Sequence, residues 1–162
     1  MIRAWVAAAC LFATAASATP TTVTVRAISR DAKVIGTAVG GARITIREVG
    51  TGRVLAEGVQ LGGTGDTKAI VVEPHVRYGS EYAVEGTAAF VATVEIAEPT
   101  LVEIAAEGPL KYPQAMRRTS KTILLVPGQH ITGEGVLLEI HGFIIEIQEA
   151  TPEKIRMRMV MT

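Results

Sequence analysis

The sequence predicts an all-β protein, an antiparallel β-sandwich of about ten short strands. In most segments apolar and polar residues alternate, which is the period of a strand with one buried face. Turn signals built on Gly and Pro recur every several residues between these segments. Nowhere do apolar residues recur at helical spacing for three turns. Many short strands separated by turns are typical of an antiparallel sandwich.

The alternation begins near residue 21 and defines the strands in chain order. Val23, Val25 and Ala27 alternate with Thr24 and Arg26, and a Gly-Gly pair at 40–41 precedes the next strand. Each later segment shows alternation or an apolar run bounded by Gly or Pro. Residues 75–86 are predicted to be an irregular crossing and 108–118 a loop. The ten predicted strands are 23–28, 43–47, 53–57, 68–73, 89–96, 101–106, 122–126, 136–140, 143–147 and 155–161.

Residues 1–18 have the organisation of a secretory signal. Arg3 supplies a positive start, residues 4–12 are apolar, and Ala16-Ser17-Ala18 is a small-x-small pattern before a cut at Thr19. The apolar run is shorter than the about 20 residues of a membrane-spanning helix, and no later segment is long and apolar enough. We therefore expect export to a bacterial periplasm or the extracellular space, with no transmembrane segment after signal removal. Residues 19–162 are expected to form one sandwich domain, with a sub-boundary near 109–113 as the alternative division.

Two questions stay open at the ends of the chain. Lipoprotein processing would make Cys10 a lipidated N-terminus, but Ala7-Ala8-Ala9 lacks the usual Leu three places upstream of the cysteine. This favours a cut after Ala18, which would leave a chain with no cysteine that depends on its hydrophobic core. At the other end the sequence stops within a predicted strand. Either this last strand is well paired or the chain is a fragment.

Turn chemistry in the first half of the chain resembles a family of extracellular modules. Gly41-Ala42-Arg43-Ile44-Thr45-Ile46 places a Gly-Ala pair before a β-branched strand, and Thr51-Gly52-Arg53 supplies a Gly-containing hairpin. Thr64-Gly65-Asp66-Thr67-Lys68-Ala69-Ile70 is a Thr/Asp/Gly-rich turn into an apolar run. In these respects residues 36–72 are similar to carboxypeptidase-regulatory-like and transthyretin-like β-sandwich modules. The resemblance implies an Ig-like sandwich and a non-catalytic role.

Charge and the scarcity of catalytic patterns exclude several classes of function. The 16 Lys and Arg residues are balanced by 16 Asp and Glu residues, so no basic excess exists to displace counterions from a nucleic acid. None of the three histidines has a His or Cys partner at i, i+2 or i, i+4 spacing, and no cysteine would remain after the predicted cut to complete a zinc site. Ser29, Ser80 and Ser120 lack the Gly-x-Ser-x-Gly elbow of hydrolases. We expect no catalytic residue, no bound cofactor and no nucleic-acid partner.

The most unusual pattern is a methionine at every second position near the C-terminal end. Strand alternation would place these three thioethers on one face, and thioethers are ligands that select Cu(I). One hypothesis is therefore a periplasmic Cu(I)-handling protein, with His130 or His141 as further ligands. The alternative is that this face packs on the core, because Met often fills irregular gaps there. The candidate metal ligands are Met157, Met159 and Met161.

These observations favour an exported, non-catalytic β-sandwich that binds a protein partner or stabilises an assembly. The many predicted strands offer edges to which another chain can add a strand. Sugar binding ranks lower, because Tyr78 and Tyr82 are the one pair of aromatic residues close enough in sequence to form a stacking platform. Copper handling through the methionine face is the alternative function.

Overall fold

The computed structural model describes residues 17–30, 32–77 and 79–160. Within these ranges the chain is mostly β-structure, with nine strands and three short helical segments, so the all-β prediction is confirmed. The helical segments are two 3-10 turns, Thr37–Val39 and Pro113–Ala115, and the α-helix α1, Thr67–Val71. The strands are β1 Thr19–Ser29, β2 Ala42–Glu48, β3 Val54–Gln60, β4 Phe90–Ile96, β5 Thr100–Gly108, β6 Arg117–Leu125, β7 Ile131–Ile140, β8 Ile144–Ala150 and β9 Ile155–Val160.

The described strands form three sheets. One has three strands in the order β4-β1-β7, a second has four in the order β3-β2-β5-β6, and β8 pairs with β9 alone. Every strand pair is antiparallel except β1 and β7, which run parallel. The expectation of purely antiparallel pairing was wrong at this pair. The whole four-stranded sheet lies between β1 and β7 in the chain, so no hairpin turn fixes their relative direction.

The three-stranded and four-stranded sheets share one hydrophobic core. Strand alternation turns every second side chain inward, as Val23 and Val25 of β1 and Ile44 and Ile46 of β2 illustrate, each fully buried. Burial of these apolar side chains is the main favourable contribution to folding in a chain of this kind. The cluster comprises Val23, Val25, Ala27, Ile35, Val39, Ala42, Ile44, Ile46, Val94, Ile96, Val102, Ile104, Ala106, Leu125, Leu138, Ile140 and Ile144.

A buried glutamine joins the two sheets. Gln60, the last residue of β3, is fully buried. Its Oε1 accepts a hydrogen bond from the backbone N–H of Ala27 at 2.7 Å, and its Nε2 donates to the carbonyls of Ala27 and Ile35, both at 2.9 Å. Ala27 lies on β1 of the other sheet, so a single side chain bonds three buried backbone groups. The Ala27 carbonyl also accepts from the Ile35 N–H at 3.0 Å, and the other two groups depend on Gln60 for a partner.

The segment between β3 and β4 differs from the prediction. Residues 68–73 were predicted to form a strand, but most of them lie in α1. Asp66 begins this helix, because its carboxylate accepts hydrogen bonds from the backbone N–H groups of Lys68 and Ala69. Ile70 is buried, but Val71 and Val72 are both exposed, so this apolar run lacks the alternating burial of a strand. The predicted crossing at 75–86 contains neither helix nor strand among its described residues.

After the predicted loop at 108–118 the chain rejoins both sheets. β6 pairs with β5 of the four-stranded sheet, and β7 pairs with β1 of the three-stranded sheet. A sub-boundary near 109–113 stays a prediction. The predicted leader lies outside the described residues apart from Ser17 and Ala18, and β1 begins at Thr19.

Replacing the buried amide tests the link between the sheets. We expect Gln60→Leu to lower the free energy of unfolding, measured in urea, by about 3 kcal/mol. The reason is that the buried N–H of Ala27 and the buried carbonyl of Ile35 would lose their partner. Gln129→Leu, at an exposed loop position, is the matched control and should change stability by less than about 0.5 kcal/mol. Equal stability of the two variants would contradict a linking role for Gln60.

Candidate interaction surface

The β8–β9 hairpin stands apart from the two larger sheets. Its strands pair only with each other among the described strands, and a turn closed by the hydrogen bond from Thr151 N–H to the Lys154 carbonyl (2.8 Å) connects them. Ile144 and Val160, paired at the open end of the hairpin, are its two members that reach the main core. The rest of the hairpin therefore extends beyond the part of the protein that buries apolar side chains.

One face of this hairpin is apolar and exposed. Ile145 lies opposite Met159, and Ile147 opposite Met157, and each of these four side chains is exposed by 44% or more. Alternate residues of a strand share a face, so the paired residues form one surface. We call this surface the apolar hairpin face; its members are Ile145, Ile147, Ala150, Ile155, Met157 and Met159.

A β-bulge keeps this face free of charge. The pairing register shifts between Ile147 and Glu149, so Gln148 has no partner, and Glu149 pairs with Arg156 while Ala150 pairs with Ile155. Without the extra residue, strict alternation would place Glu149 beside the isoleucines. The bulge therefore moves a carboxylate to the opposite face and puts Ala150 on the apolar one.

The opposite face of the hairpin carries ion pairs across the strands. Glu149 lies 3.1 Å from Lys154 and 3.6 Å from Arg156, and Glu146 lies 3.8 Å from Arg158. Exposed ion pairs of this kind contribute little to stability. Their consequence is a strong contrast between a hydrated, charged face and an apolar face on the same two strands.

The methionines predicted as metal ligands lie on the apolar hairpin face. Met157 and Met159 are 61% and 60% exposed, and Met161 lies outside the described residues. The interpretation that this face packs on the core was wrong for Met157 and Met159. The reason is the separate position of the hairpin, which brings only its open end to the core.

The histidines contact three different parts of the protein. The Nδ1 of His130 accepts a hydrogen bond from the backbone N–H of Thr22 at 3.0 Å. His141 lies 3.9 Å from Glu139, and His75 contacts Glu81. In the described part of the chain, no group of three or more His, Cys, Asp or Glu side chains is placed to hold a metal ion.

A pocket of about 300 Å³ lies where the hairpin joins the rest of the protein. Most of its lining is apolar and comes from both sides of the junction, with Ile35 and Pro109 on one side and Ile144 and Val160 on the other. His141 contributes a polar group. The two hairpin residues that pack on the core thus also shape this pocket, so its form depends on how the hairpin is attached.

The solvent face of the four-stranded sheet carries a second set of ion pairs. Arg43 lies 3.5 Å from Glu107, and Arg118 lies 3.0 Å from Glu103. Hydrogen bonds from Ser120 and Arg118 hold the pKa of Glu103 below its ordinary value, because they stabilise the charged carboxylate. This face is charged and internally paired, unlike the apolar hairpin face.

The sequence pattern predicted only half of the apolar hairpin face. It selected the methionines of β9 but gave no role to Ile145 and Ile147 of β8. The alternation of these isoleucines with Glu146 was a usable signal, since it matches the alternation of the methionines with Arg156 and Arg158. Gln60 was also missed, because an isolated glutamine gives no sign that it will be buried.

Comparison with known proteins finds no match among protein-family models, curated proteins or solved structures. None of the helices in the described ranges has the length and apolar character needed to cross a membrane.

The carboxylate of Glu103 should make stability depend on pH. Because its folded-state pKa lies below the ordinary value of 4.5, the charged form stabilises the fold above that value, and the contribution is lost as pH falls through the folded-state pKa. In Glu103→Gln we expect a lower urea midpoint near neutral pH and convergence with the unchanged protein in acid.

The matched control for this measurement is Glu95→Gln, at an exposed position of β4. Its urea midpoint should follow that of the unchanged protein across the same pH range. If the difference between Glu103→Gln and the unchanged protein stays constant from neutral to acid pH, the pKa of Glu103 does not have the predicted effect.

Proposed function

We propose that this chain is an exported, non-catalytic β-sandwich module of the Ig-like or transthyretin-like kind that binds a protein partner through the apolar hairpin face. The core shared by the three-stranded and four-stranded sheets supports the sandwich assignment. Export is supported by the signal-like residues 1–18 and by the start of β1 at Thr19, the residue that follows the predicted cut.

The observation that carries this proposal is the exposure of the apolar hairpin face. Its five large members expose between 44% and 67% of their surface. That is roughly 600 Å² of apolar area if a large side chain exposes about 200 Å² in full. A patch of this size is at the upper end of what monomeric proteins expose, and such patches often serve binding. Met is also enriched at protein interfaces.

The charged groups of the protein support a binding role more than a catalytic one. Exposed carboxylates on two strand pairs form ion pairs with cationic side chains. Examples are Glu103 with Arg118 and Glu146 with Arg158. The one carboxylate described above with a lowered pKa, Glu103, is stabilised by neighbouring side chains rather than prepared to take up a proton.

Covalent cross-linking with the exported proteins of the source organism tests the proposal. We expect Ile147→Lys to reduce recovery of the cross-linked partner about tenfold, because it places a charge that binding would have to bury. Gln148→Lys adds the same charge to the same strand without removing apolar area and should retain the partner. Circular dichroism and urea unfolding check that both variants fold. The proposal fails if both variants recover the partner equally.

The exposure of Met157 and Met159 supports copper handling as a second candidate function. The two thioethers lie on one face of β9 and are accessible to solvent rather than used in packing. Soft sulfur ligands on adjacent same-face positions suit Cu(I). Met161, two residues further along the same alternation, would be the third ligand.

Substitution by leucine separates copper binding from protein binding. Replacing Met157, Met159 and Met161 by Leu removes the sulfur atoms but nearly conserves volume and apolar character. In competition with a Cu(I) chelator we expect the triple variant to lose high-affinity binding, whereas Met116→Leu, outside the hairpin, should retain it. Equal affinity in all three proteins would exclude the methionine face as a copper site.

A further inference from the structure

We propose that the apolar hairpin face packs face to face on the same face of a second copy of this chain, forming a dimer with two-fold symmetry. This inference rests on the binding role proposed for the face and identifies the partner. The interface would be isologous, so that each copy contributes the same residues.

The first argument is that the hairpin has too little support in a single copy. A two-stranded sheet is at best marginally stable in water unless one of its faces is covered. In the described chain only Ile144 and Val160 of this hairpin reach the core, while Ile155, at the far end beside the turn, is 63% exposed. A second layer on the apolar face would supply the missing burial along the full length of both strands.

The second argument is the size of the face. Its exposed area, roughly 600 Å², approaches the about 800 Å² that each partner buries in a stable interface of standard size. Phe143, directly before β8, is 69% exposed and adds apolar surface beside the hairpin. Two such faces together reach the lower end of the about 1,200–2,000 Å² that specific interfaces bury. Homodimer interfaces are also more apolar than non-obligate ones, as this face is.

The third argument is charge. The apolar hairpin face contains no charged residue, so two copies can meet there without repulsion. The charged groups, Glu146 with Arg158 and Glu149 with Arg156, lie on the other face and would remain in water on the outside of the stacked hairpins. A surface without charge is electrostatically compatible with an identical surface.

Charge also disfavours one alternative way of pairing. Edge-to-edge addition of β9 to β9 with Met157 at the two-fold axis would place Arg156 of one copy opposite Arg158 of the other. Like charges directly opposite in a sheet are destabilising. Stacking face to face, at the about 10 Å spacing of packed sheets, keeps these arginines apart.

Analytical ultracentrifugation of the purified protein, its N-terminus defined by mass spectrometry, tests self-association. We expect reversible dimers that dissociate on dilution. Ile147→Lys should weaken the dimer at least about tenfold, since both copies would bury a charge. Gln148→Lys is the control and should sediment like the unchanged protein. A monomer at every concentration, or equal dissociation of both variants, overturns the proposal.

Methionine oxidation identifies the face that is covered. With dilute peroxide we expect Met157 and Met159 to be protected as protein concentration rises, while oxidation of Met116, outside the hairpin, stays constant. Dimers without such protection would overturn the proposed face.

Cysteine cross-linking tests which faces meet. A short bis-maleimide should join two copies of Met157→Cys but should not join two copies of Arg158→Cys, which is on the charged face. The reverse pattern would overturn face-to-face stacking.

These measurements use the protein alone and therefore differ from the test of the proposed function. If the chain remains monomeric but the Ile147→Lys variant loses a cross-linked protein of another kind, the dimer proposal fails and protein binding through the face stands. If neither self-association nor partner recovery responds to Ile147→Lys, both proposals fail.

Discussion

The arrangement of the two larger sheets depends on the hydrogen bonds of the Gln60 side-chain amide. The amide forms hydrogen bonds with the N–H and the carbonyl of Ala27 on β1 and with the carbonyl of Ile35. The N–H of Ile35 also donates to the Ala27 carbonyl, at 3.0 Å. Because these groups are buried, water cannot replace the amide without opening the core. Ile35 in turn lines the pocket at the base of the hairpin with Ile144 and Val160. The bonds of Gln60 thus position the surface on which the hairpin rests.

The core provides the stability of the fold, whereas recognition is the role that we propose for the hairpin. In the core, apolar residues such as Ile44 and Ile104 are fully buried and supply the main driving force for folding. In the hairpin, residues of the same kind remain in water, an arrangement that lowers solubility and promotes association. The bulge at Gln148 is the feature that keeps the two faces distinct, because it removes Glu149 from the apolar side.

The sequence was sufficient to predict the β-class and most strand positions, since alternation directly records which side chains face a core. It failed at 68–73, where an apolar run outweighed the helix-capping signal of Asp66. It also failed for the burial of Met157 and Met159. Alternation predicts that such residues share a face, but whether another layer covers that face is decided by tertiary packing. The parallel pairing of β1 and β7 depends on long-range contacts in the same way.

That parallel pairing also fixes where the apolar hairpin face is presented. β7 runs directly into the hairpin through Gly142, whose φ of +141° favours glycine and allows an abrupt change of chain direction. At its start β7 is held by Arg26 of β1, which donates to the carbonyls of Gly133 and Glu134 at 2.5 Å and 2.7 Å. At its end the Ile140 carbonyl accepts from Arg30 N–H at 3.3 Å. Because β1 and Arg30, the residue after it, hold β7 at both ends, the hairpin leaves the sheet from a defined point. The same contacts would fix the place where the proposed partner binds.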